Sequence, residues 1–101
     1  MILEEAVLSV REGDATAFEA AMVKAAPVIA GAAGYLSHEL QRCVETPGRY
    51  LLLVRWETLE AHTVGFRQSA AFAEWRAIVG PFFAVPPVVE HYETALEWPV
   101  L

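Results

Sequence analysis

The stretch TPGRYLLLVRW, residues 46–56, decides the fold of this chain. Pro47 and Gly48 occupy the two central positions of a predicted type II turn. In residues 35–45, before the turn, mostly apolar side chains alternate with mostly polar ones, as they do on the two faces of a strand. Residues 50–56, after the turn, are almost entirely apolar. Two strand-forming segments joined by so short a turn predict an antiparallel β-hairpin.

The segment before the hairpin predicts a strand followed by a helix. Residues 2–10 alternate as a strand, whose apolar residues on one parity are Ile2, Ala6, Leu8 and Val10. Asp14 is a favourable helix N-cap. After it, apolar residues recur at helical spacing, namely Phe18, Met22, Ala25 and Ile29. Pro27 lacks a backbone donor, so the helix is expected to kink or restart there.

The segment after the hairpin predicts a second helical region and a last strand. Thr58 is expected to cap a short helix that is interrupted near Gly65, and Ser69 to cap its continuation. The apolar stripe of this region consists of Phe72, Trp75, Val79 and Phe82. A final strand is expected from Val88 to about Leu96. The whole order is βαββαβ.

This order predicts an α+β fold of the ferredoxin-like class, with both helices on one face of a four-stranded antiparallel sheet. Residues 1–101 are expected to form a single domain. The other sheet face should be polar if water covers it. Instead, residues 51–54 are apolar on both parities, and the bare face would present roughly 350 Å² of surface. A second copy of the chain is therefore expected to cover it.

Composition excludes several classes of function. The chain has 101 residues and a net charge of −6, and no basic run suits nucleic acid. Its uncharged stretches, residues 25–37 and 77–89, contain proline and are shorter than the ~20 residues of a membrane span. Cys43 is the single cysteine, and the three histidines form no recognisable zinc pattern. The expectation is a cytoplasmic domain without a metal.

The run from Tyr50 to His62, followed by Ser69-Ala-Ala-Phe72 and Trp75, resembles the antibiotic biosynthesis monooxygenase family of the dimeric α+β barrel superfamily. The resemblance implies a homodimer whose sheets pack face to face, with a ligand cavity between sheet and helices in each subunit. Some members of this family oxidise polycyclic phenols to quinones with molecular oxygen and no metal, flavin or haem. Other relatives degrade haem, and many have no assigned activity.

The haem-degrading branch of the resemblance fits this chain poorly. That branch uses an Asn on the first strand, and the first strand here has none. The functional Trp of that branch aligns with about Gly65 of this chain, and its functional His aligns near Trp75 or Arg76. All three functional residues are therefore missing here. We therefore expect no haem and no other cofactor.

His62 is the best candidate for a catalytic base, because phenol oxidation needs a group that accepts a proton near neutral pH. It shares a helical face with Leu59 and Phe66, so it should point towards the sheet. Burial lowers the pKa of a histidine and keeps it neutral. The alternative is a core histidine whose ring is satisfied by one backbone carbonyl.

The remaining candidates each have a plainer alternative. Arg55 is expected to hold the substrate oxyanion, or else to pair with a carboxylate on Glu57, Glu90 or Glu93. Candidate substrate-binding residues are Trp56, Phe66, Phe72, Trp75, His38 and Tyr92. The aromatic side chains among them also suit a plain core, and His38 also suits the core or a dimer interface. His91 and Tyr92 should point to opposite faces of the last strand.

Two functions remain open from the sequence. The first is a cofactor-independent monooxygenase that oxidises a small phenolic or quinol-type aromatic. The second is a non-catalytic dimeric barrel that binds a small hydrophobic metabolite or acts in a stress response. Oxygen consumption with hydroquinones and anthrones would separate them.

Overall fold

The computed structural model describes residues 1–99, which form four strands and two main helices. In chain order the elements are β1 (Ile2–Ser9), α1 (Ala15–Ala30), β2 (Tyr35–Arg42), β3 (Arg49–Trp56), a π-helical turn (Ala61–Phe66), α2 (Ala70–Val79), a 3-10 turn (Gly80–Phe82) and β4 (Val88–Tyr92). The predicted order βαββαβ is confirmed. Within the described residues, no helix combines the length and apolarity that a membrane crossing requires.

The strands form one antiparallel sheet in the order β2-β3-β1-β4, which is the ferredoxin-like arrangement. Ala6, at the centre of β1, pairs with Leu52 on one side and with Val89 on the other. Side chains alternate along each strand, so one parity faces the helices. We call this side the inner face. Its residues on β1 and β3 are buried except for the half-buried Ile2, whereas their sequence neighbours are mostly half-buried.

Helix α1 packs on the inner face through the stripe that the sequence predicts. Its buried residues are Phe18, Met22, Ala25 and Ile29. The ring of Phe18 contacts that of Tyr50 on β3, with centroids 4.9 Å apart. This packing holds α1 against the sheet by burial of apolar surface, the main favourable term in folding.

Two strands end earlier than predicted. β4 stops at Tyr92 instead of about Leu96, because Tyr92 pairs with Leu3 and little of β1 remains beyond that point. β2 stops at Arg42, where the chain enters the hairpin loop.

Helix α1 runs through Pro27 as one element, whereas the sequence predicts a kink or a restart. Pro27 lies on the exposed side of the helix, so water can bond the carbonyl group of Val23 that lacks its usual donor. Asp14 stands at the predicted N-cap position, but its side chain makes no capping hydrogen bond.

The turn between β2 and β3 has the predicted geometry. Gly48 has a φ of +87°, the positive value that the second central residue of a type II turn requires. The N–H of Arg49 donates to the carbonyl oxygen of Thr46 over 3.1 Å. A β-carbon at Gly48 would lie 2.7 Å from the carbonyl oxygen of Val10. The turn therefore excludes a side chain at this position.

We expect Gly48→Ala to lower the free energy of unfolding by about 2–3 kcal/mol, because alanine adds both an unfavourable φ and a clash with backbone. Gly13→Ala is the matched control, since Gly13 also has a φ of +87° but a β-carbon there meets nothing within 4 Å. The free energy of unfolding of this control should fall by only about 1 kcal/mol. Urea unfolding measures both variants, and equal losses would contradict the clash.

The sheet surface opposite the helices is the open face. Its half-buried apolar residues are Leu3, Val7, Leu51 and Leu53. Glu5 lies among them on β1, where it pairs with Leu53 on one side and with Glu90 on the other. Nη1 of Arg55 lies 3.4 Å from Oε1 of Glu39. The sequence predicts an apolar face here, and the structure has an apolar face that charged residues interrupt.

Candidate functional site

A pocket of about 900 Å³ opens between the inner face of the sheet and α2, and we call it the inner pocket. Strand residues on its floor are Ala6, Leu8 and Leu52. Aromatic residues on its walls are Phe66, Phe72 and Trp75. A concave, largely apolar space with a few polar groups is the usual form of a small-molecule site.

The π-helical turn sets the direction of the side chains at one end of the inner pocket. Oγ1 of Thr58 accepts a hydrogen bond from the N–H of Ala61 over 3.1 Å, which supports the predicted cap before the turn. The N–H of Arg67 then bonds the carbonyl oxygen of His62 over 2.9 Å, five residues back. His62 and Phe66 are the buried residues of this turn. Single π-helical turns frequently mark functional sites.

His62 points towards the sheet as predicted and is only 2% exposed. Its ring stacks on that of Trp56, with centroids 5.2 Å apart and 19° between the planes. Nδ1 of His62 lies 2.7 Å from Nε2 of His91, and Nε2 of His62 lies 3.3 Å from Oε1 of Glu4. Both partners are side chains, so the ring is not satisfied by a backbone carbonyl.

Glu4 is a site residue that the sequence reasoning missed. It lies on β1 with its side chain on the inner face and is 6% exposed. Nε1 of Trp56 donates to Oε1 of Glu4 over 3.0 Å. An acidic residue on the apolar parity of a strand, between Ile2 and Ala6, was the signal in the sequence. A buried carboxylate needs such partners because burial without them is costly.

Burial moves the pKa values of this cluster in the directions that favour neutral groups. Desolvation lowers the pKa of His62 to about 4, with smaller contributions from the charges of His91 and Arg67. Desolvation also lowers the pKa of His91. It raises the pKa of Glu4, against which the hydrogen bond from Trp56 acts. At neutral pH the ring of His62 is therefore neutral.

Two side chains of this cluster, His62 and Glu4, line the inner pocket. Nε2 of His62 contacts Oε1 of Glu4, and Oε2 of Glu4 accepts no hydrogen bond from any residue among 1–99. A ligand in the pocket therefore meets a neutral imidazole ring beside a carboxyl group.

The lowered pKa of His62 also makes folding stability depend on pH. Between about pH 6.5 and about pH 4 the unfolded chain binds a proton at His62 that the folded chain does not bind. We expect the free energy of unfolding to fall by at most about 1.4 kcal/mol per pH unit as the pH decreases across this window. Urea unfolding measures this slope, which should be smaller in His62→Gln. Equal slopes in both proteins would contradict the assignment.

Three of the predicted substrate-binding residues line the inner pocket, namely Phe66, Phe72 and Trp75. Ser69 caps α2 as predicted, and its Oγ accepts a hydrogen bond from the N–H of Phe72 over 3.2 Å. Trp56 is fully buried beneath His62 and does not line the pocket, so it supports the site from behind.

The structure places the other candidates away from the inner pocket. Arg55 lies on the open face, on the opposite side of the sheet from His62, and pairs with Glu39 rather than with the acidic residues predicted for it. Tyr92 also lies on the open face, while its neighbour His91 reaches His62, as the predicted opposite directions require. His38 bonds the hydroxyl group of Tyr35 over 2.5 Å and does not line the pocket.

The arginine that does reach the inner pocket is Arg67, with Arg76 beside it, and the sequence reasoning missed both. Their guanidinium groups are positively charged and offer only hydrogen-bond donors, which suits negatively charged ligands. Across the described part of the chain, no group of three or more His, Cys, Asp or Glu residues is arranged to hold a metal ion.

Comparison with known sequences identifies relatives along almost the whole chain. The family described as antibiotic biosynthesis monooxygenase matches residues 1–78. YczJ of Bacillus subtilis (strain 168), an uncharacterized protein, is 47% identical over 93 residues, which cover 92% of this chain and 98% of YczJ.

Comparison with solved structures gives the same result. A protein of Bordetella bronchiseptica assigned to the antibiotic biosynthesis monooxygenases is 45% identical, with a TM-score of 0.91 over 94% of this chain and 97% of that one. SnoaB of Streptomyces nogalater, a cofactor-independent oxygenase, has a TM-score of 0.84 over 98% and 97% of the two chains at 15% identity, a likeness of fold. This chain therefore belongs to the antibiotic biosynthesis monooxygenase family.

Proposed function

We propose that the protein is a cofactor-independent monooxygenase that oxidises a small phenolic or quinol-type aromatic with molecular oxygen in the inner pocket. The observation that carries the proposal is the neutral, buried His62, which lines an aromatic-walled cavity and whose Nε2 lies beside Glu4. Membership of the family supports it, as does the shared fold with SnoaB.

His62 accepts the proton of the substrate hydroxyl group at Nε2 in the proposed first step. Nδ1 of His62 and Nε2 of His91 lie 2.7 Å apart, and the scheme takes Nδ1 of His62 as the donor, which leaves the lone pair of Nε2 to accept the proton. The imidazolium that forms lies 3.3 Å from Oε1 of Glu4, so a carboxylate charge stabilises it. Glu4 and His91 are positioning residues in this scheme.

The oxidation then balances with oxygen as the only oxidant. The phenolate transfers an electron to O₂, and the superoxide and the substrate radical combine at a ring carbon that carries hydrogen. His62 returns its proton to the peroxide. Loss of the C–H proton and cleavage of the O–O bond give a carbonyl group and one water, so that phenol and O₂ yield quinone and water. Apolar walls keep water from the charged intermediates.

A second copy of the chain covers the open face in this proposal. The half-buried residues Leu3, Val7, Leu51 and Leu53 give this face an apolar surface, which Val88 and Tyr92 extend at 60% and 45% exposure around the neighbouring Glu5 and Glu90. Such patches usually mark an interface. Sedimentation velocity at micromolar concentration should find a dimer, and Leu51→Asp should shift it towards monomer. A stable wild-type monomer would contradict this part of the proposal.

Oxygen uptake with a panel of hydroquinones and anthrones tests the activity, with a metal chelator present throughout. We expect saturable uptake of one O₂ per quinone formed, and one oxygen atom from labelled O₂ in the product. Saturable binding of these compounds without uptake would contradict the oxygenase and favour the alternative, a dimeric barrel that binds a hydrophobic metabolite.

A further inference from the structure

Two arginine side chains flank one aromatic ring at the inner pocket. The guanidinium carbon of Arg67 lies 5.8 Å from the centroid of the Phe72 ring, and that of Arg76 lies 5.9 Å from the same centroid. All three residues line the pocket, and both arginines are exposed. A guanidinium group at this distance from an aromatic ring is attracted to its face.

Neither arginine has a carboxylate partner in the described part of the chain. The ion pairs among residues 1–99 involve the cationic or imidazole groups of Arg42, Arg55 and His62. Two unpaired positive charges at one cavity are notable in a chain with 13 acidic and 7 basic residues. Among the residues that the structure describes, Glu4 is the only acidic one that lines the inner pocket, at its buried end. The pocket therefore has a cationic rim.

The backbone fixes the places from which these two side chains extend. Arg76 follows Phe72 by four residues on α2, so the two side chains share one helix face. Arg67 ends the π-helical turn, where its N–H bonds the carbonyl oxygen of His62. The positive charge of Arg67 acts on the groups inside, since it lowers the pKa of Glu4, His62 and His91.

We propose that Arg67 and Arg76 bind an anionic group of the ligand, in the simplest case an aromatic carboxylate. A planar guanidinium donates two parallel hydrogen bonds to such a group, which makes the contact strong and directional. The ligand ring then lies along the aromatic wall, with its hydroxyl end towards His62. The assignment of this ligand as the substrate rests on the proposed oxygenase, whereas the anion site itself does not.

Titration with 6-hydroxy-2-naphthoate and its neutral amide, 6-hydroxy-2-naphthamide, in which the hydroxyl group lies at the opposite end of the ring system from the acid or amide, tests the anion site. Quenching of tryptophan fluorescence reports binding, because Trp75 lines the pocket. We expect the wild-type protein to bind the acid about 10-fold or more tightly than the amide, and R67A/R76A to lose that preference with little change for the amide. R67K/R76K should retain part of it, since lysine keeps the charge without the planar fork.

Arg49→Ala provides the matched control, because Arg49 is an exposed arginine at the hairpin turn far along β3 from the pocket. The affinity of Arg49→Ala for the acid and for the amide should equal that of the wild-type protein. Equal wild-type affinity for acid and amide, equal losses of both in R67A/R76A, or no saturable binding of the acid would each overturn the anion site. Thermal melting of the variants shows that they fold.

Failure of the anion site and failure of the oxygenase give different results. Arginine-dependent binding of the naphthoate without oxygen uptake from any substrate would leave the anion site in place and contradict the oxygenase. Oxygen uptake by the wild-type protein, together with equal wild-type affinity for the acid and the amide, would leave the oxygenase in place and overturn the anion site.

Discussion

His62→Ala is expected to lower kcat by about 10²- to 10⁴-fold on any phenol that the wild-type protein oxidises, because a positioned general base typically contributes that much. KM should change little, since the aromatic walls that hold the ring remain. In the wild-type protein, kcat/KM should fall below about pH 4, where the ring of His62 becomes protonated and can no longer accept a proton. The variant should lack this acidic limb.

Addition of imidazole to His62→Ala separates a catalytic role from a structural one. The substitution leaves a cavity against Trp56, and imidazole is small enough to enter it and supply the missing base. Partial recovery of kcat would support His62 as the base. Full turnover in His62→Ala, or an unchanged pH profile, would remove His62 from the reaction.

Glu4→Gln is the companion to that variant. Glutamine keeps an acceptor for Nε1 of Trp56 but loses the charge that lies 3.3 Å from Nε2 of His62. We expect kcat to fall by about 10-fold or more, because the imidazolium formed in the first step loses its counter-charge. Glu60→Gln, at an exposed site outside the inner pocket, should leave kcat unchanged.

Periodicity in the sequence was sufficient to predict the hairpin, the buried stripe of α1 and the inward direction of His62. In each case the direction of a side chain repeats along one element, so local pattern fixes it. Glu4 was accessible to the same argument, since it shares its parity with Ala6. Its partner was not accessible, because the approach of Trp56 depends on the pairing of β1 with β3.

Arg55 illustrates a constraint that the sequence contained and the prediction overlooked. Arg55 and Trp56 are neighbours on one strand, so alternation alone puts them on opposite faces of the sheet. The identity of its partner lay beyond local pattern. Glu39 reaches Arg55 from β2, whose register against β3 shifts at an irregularity between Tyr35 and Ser37.

Arg67 was missed for a different reason. The pattern after Thr58 is typical of an α-helix, and the structure has a π-helical turn there. A bond that spans five residues changes the direction of each side chain relative to an α-helix. Only the tertiary structure therefore shows that Arg67 and Arg76 approach the same ring, and the cationic rim could not have been predicted from spacing.

Trp56 gives the largest expected effect on stability. It is 0% exposed, stacks on His62 and donates to Glu4, so Trp56→Ala leaves a large cavity and removes the donor to a buried carboxyl group. We expect a loss of about 3–5 kcal/mol in the free energy of unfolding. That is a large part of the ~5–15 kcal/mol that stabilises a typical domain.

Trp56→Phe separates the two causes, and Trp98→Ala is the control. Phenylalanine keeps most of the aromatic volume but not the donor, so Trp56→Phe should lower the free energy of unfolding by about 1–3 kcal/mol. The pKa of Glu4 should also rise further, because the hydrogen bond from Trp56 lowers it. Trp98 is 74% exposed, and its replacement should change stability by less than about 0.5 kcal/mol. Urea unfolding of the three variants ranks their losses in the free energy of unfolding. Similar losses for Trp56→Ala and Trp98→Ala would contradict the stabilising role assigned to Trp56.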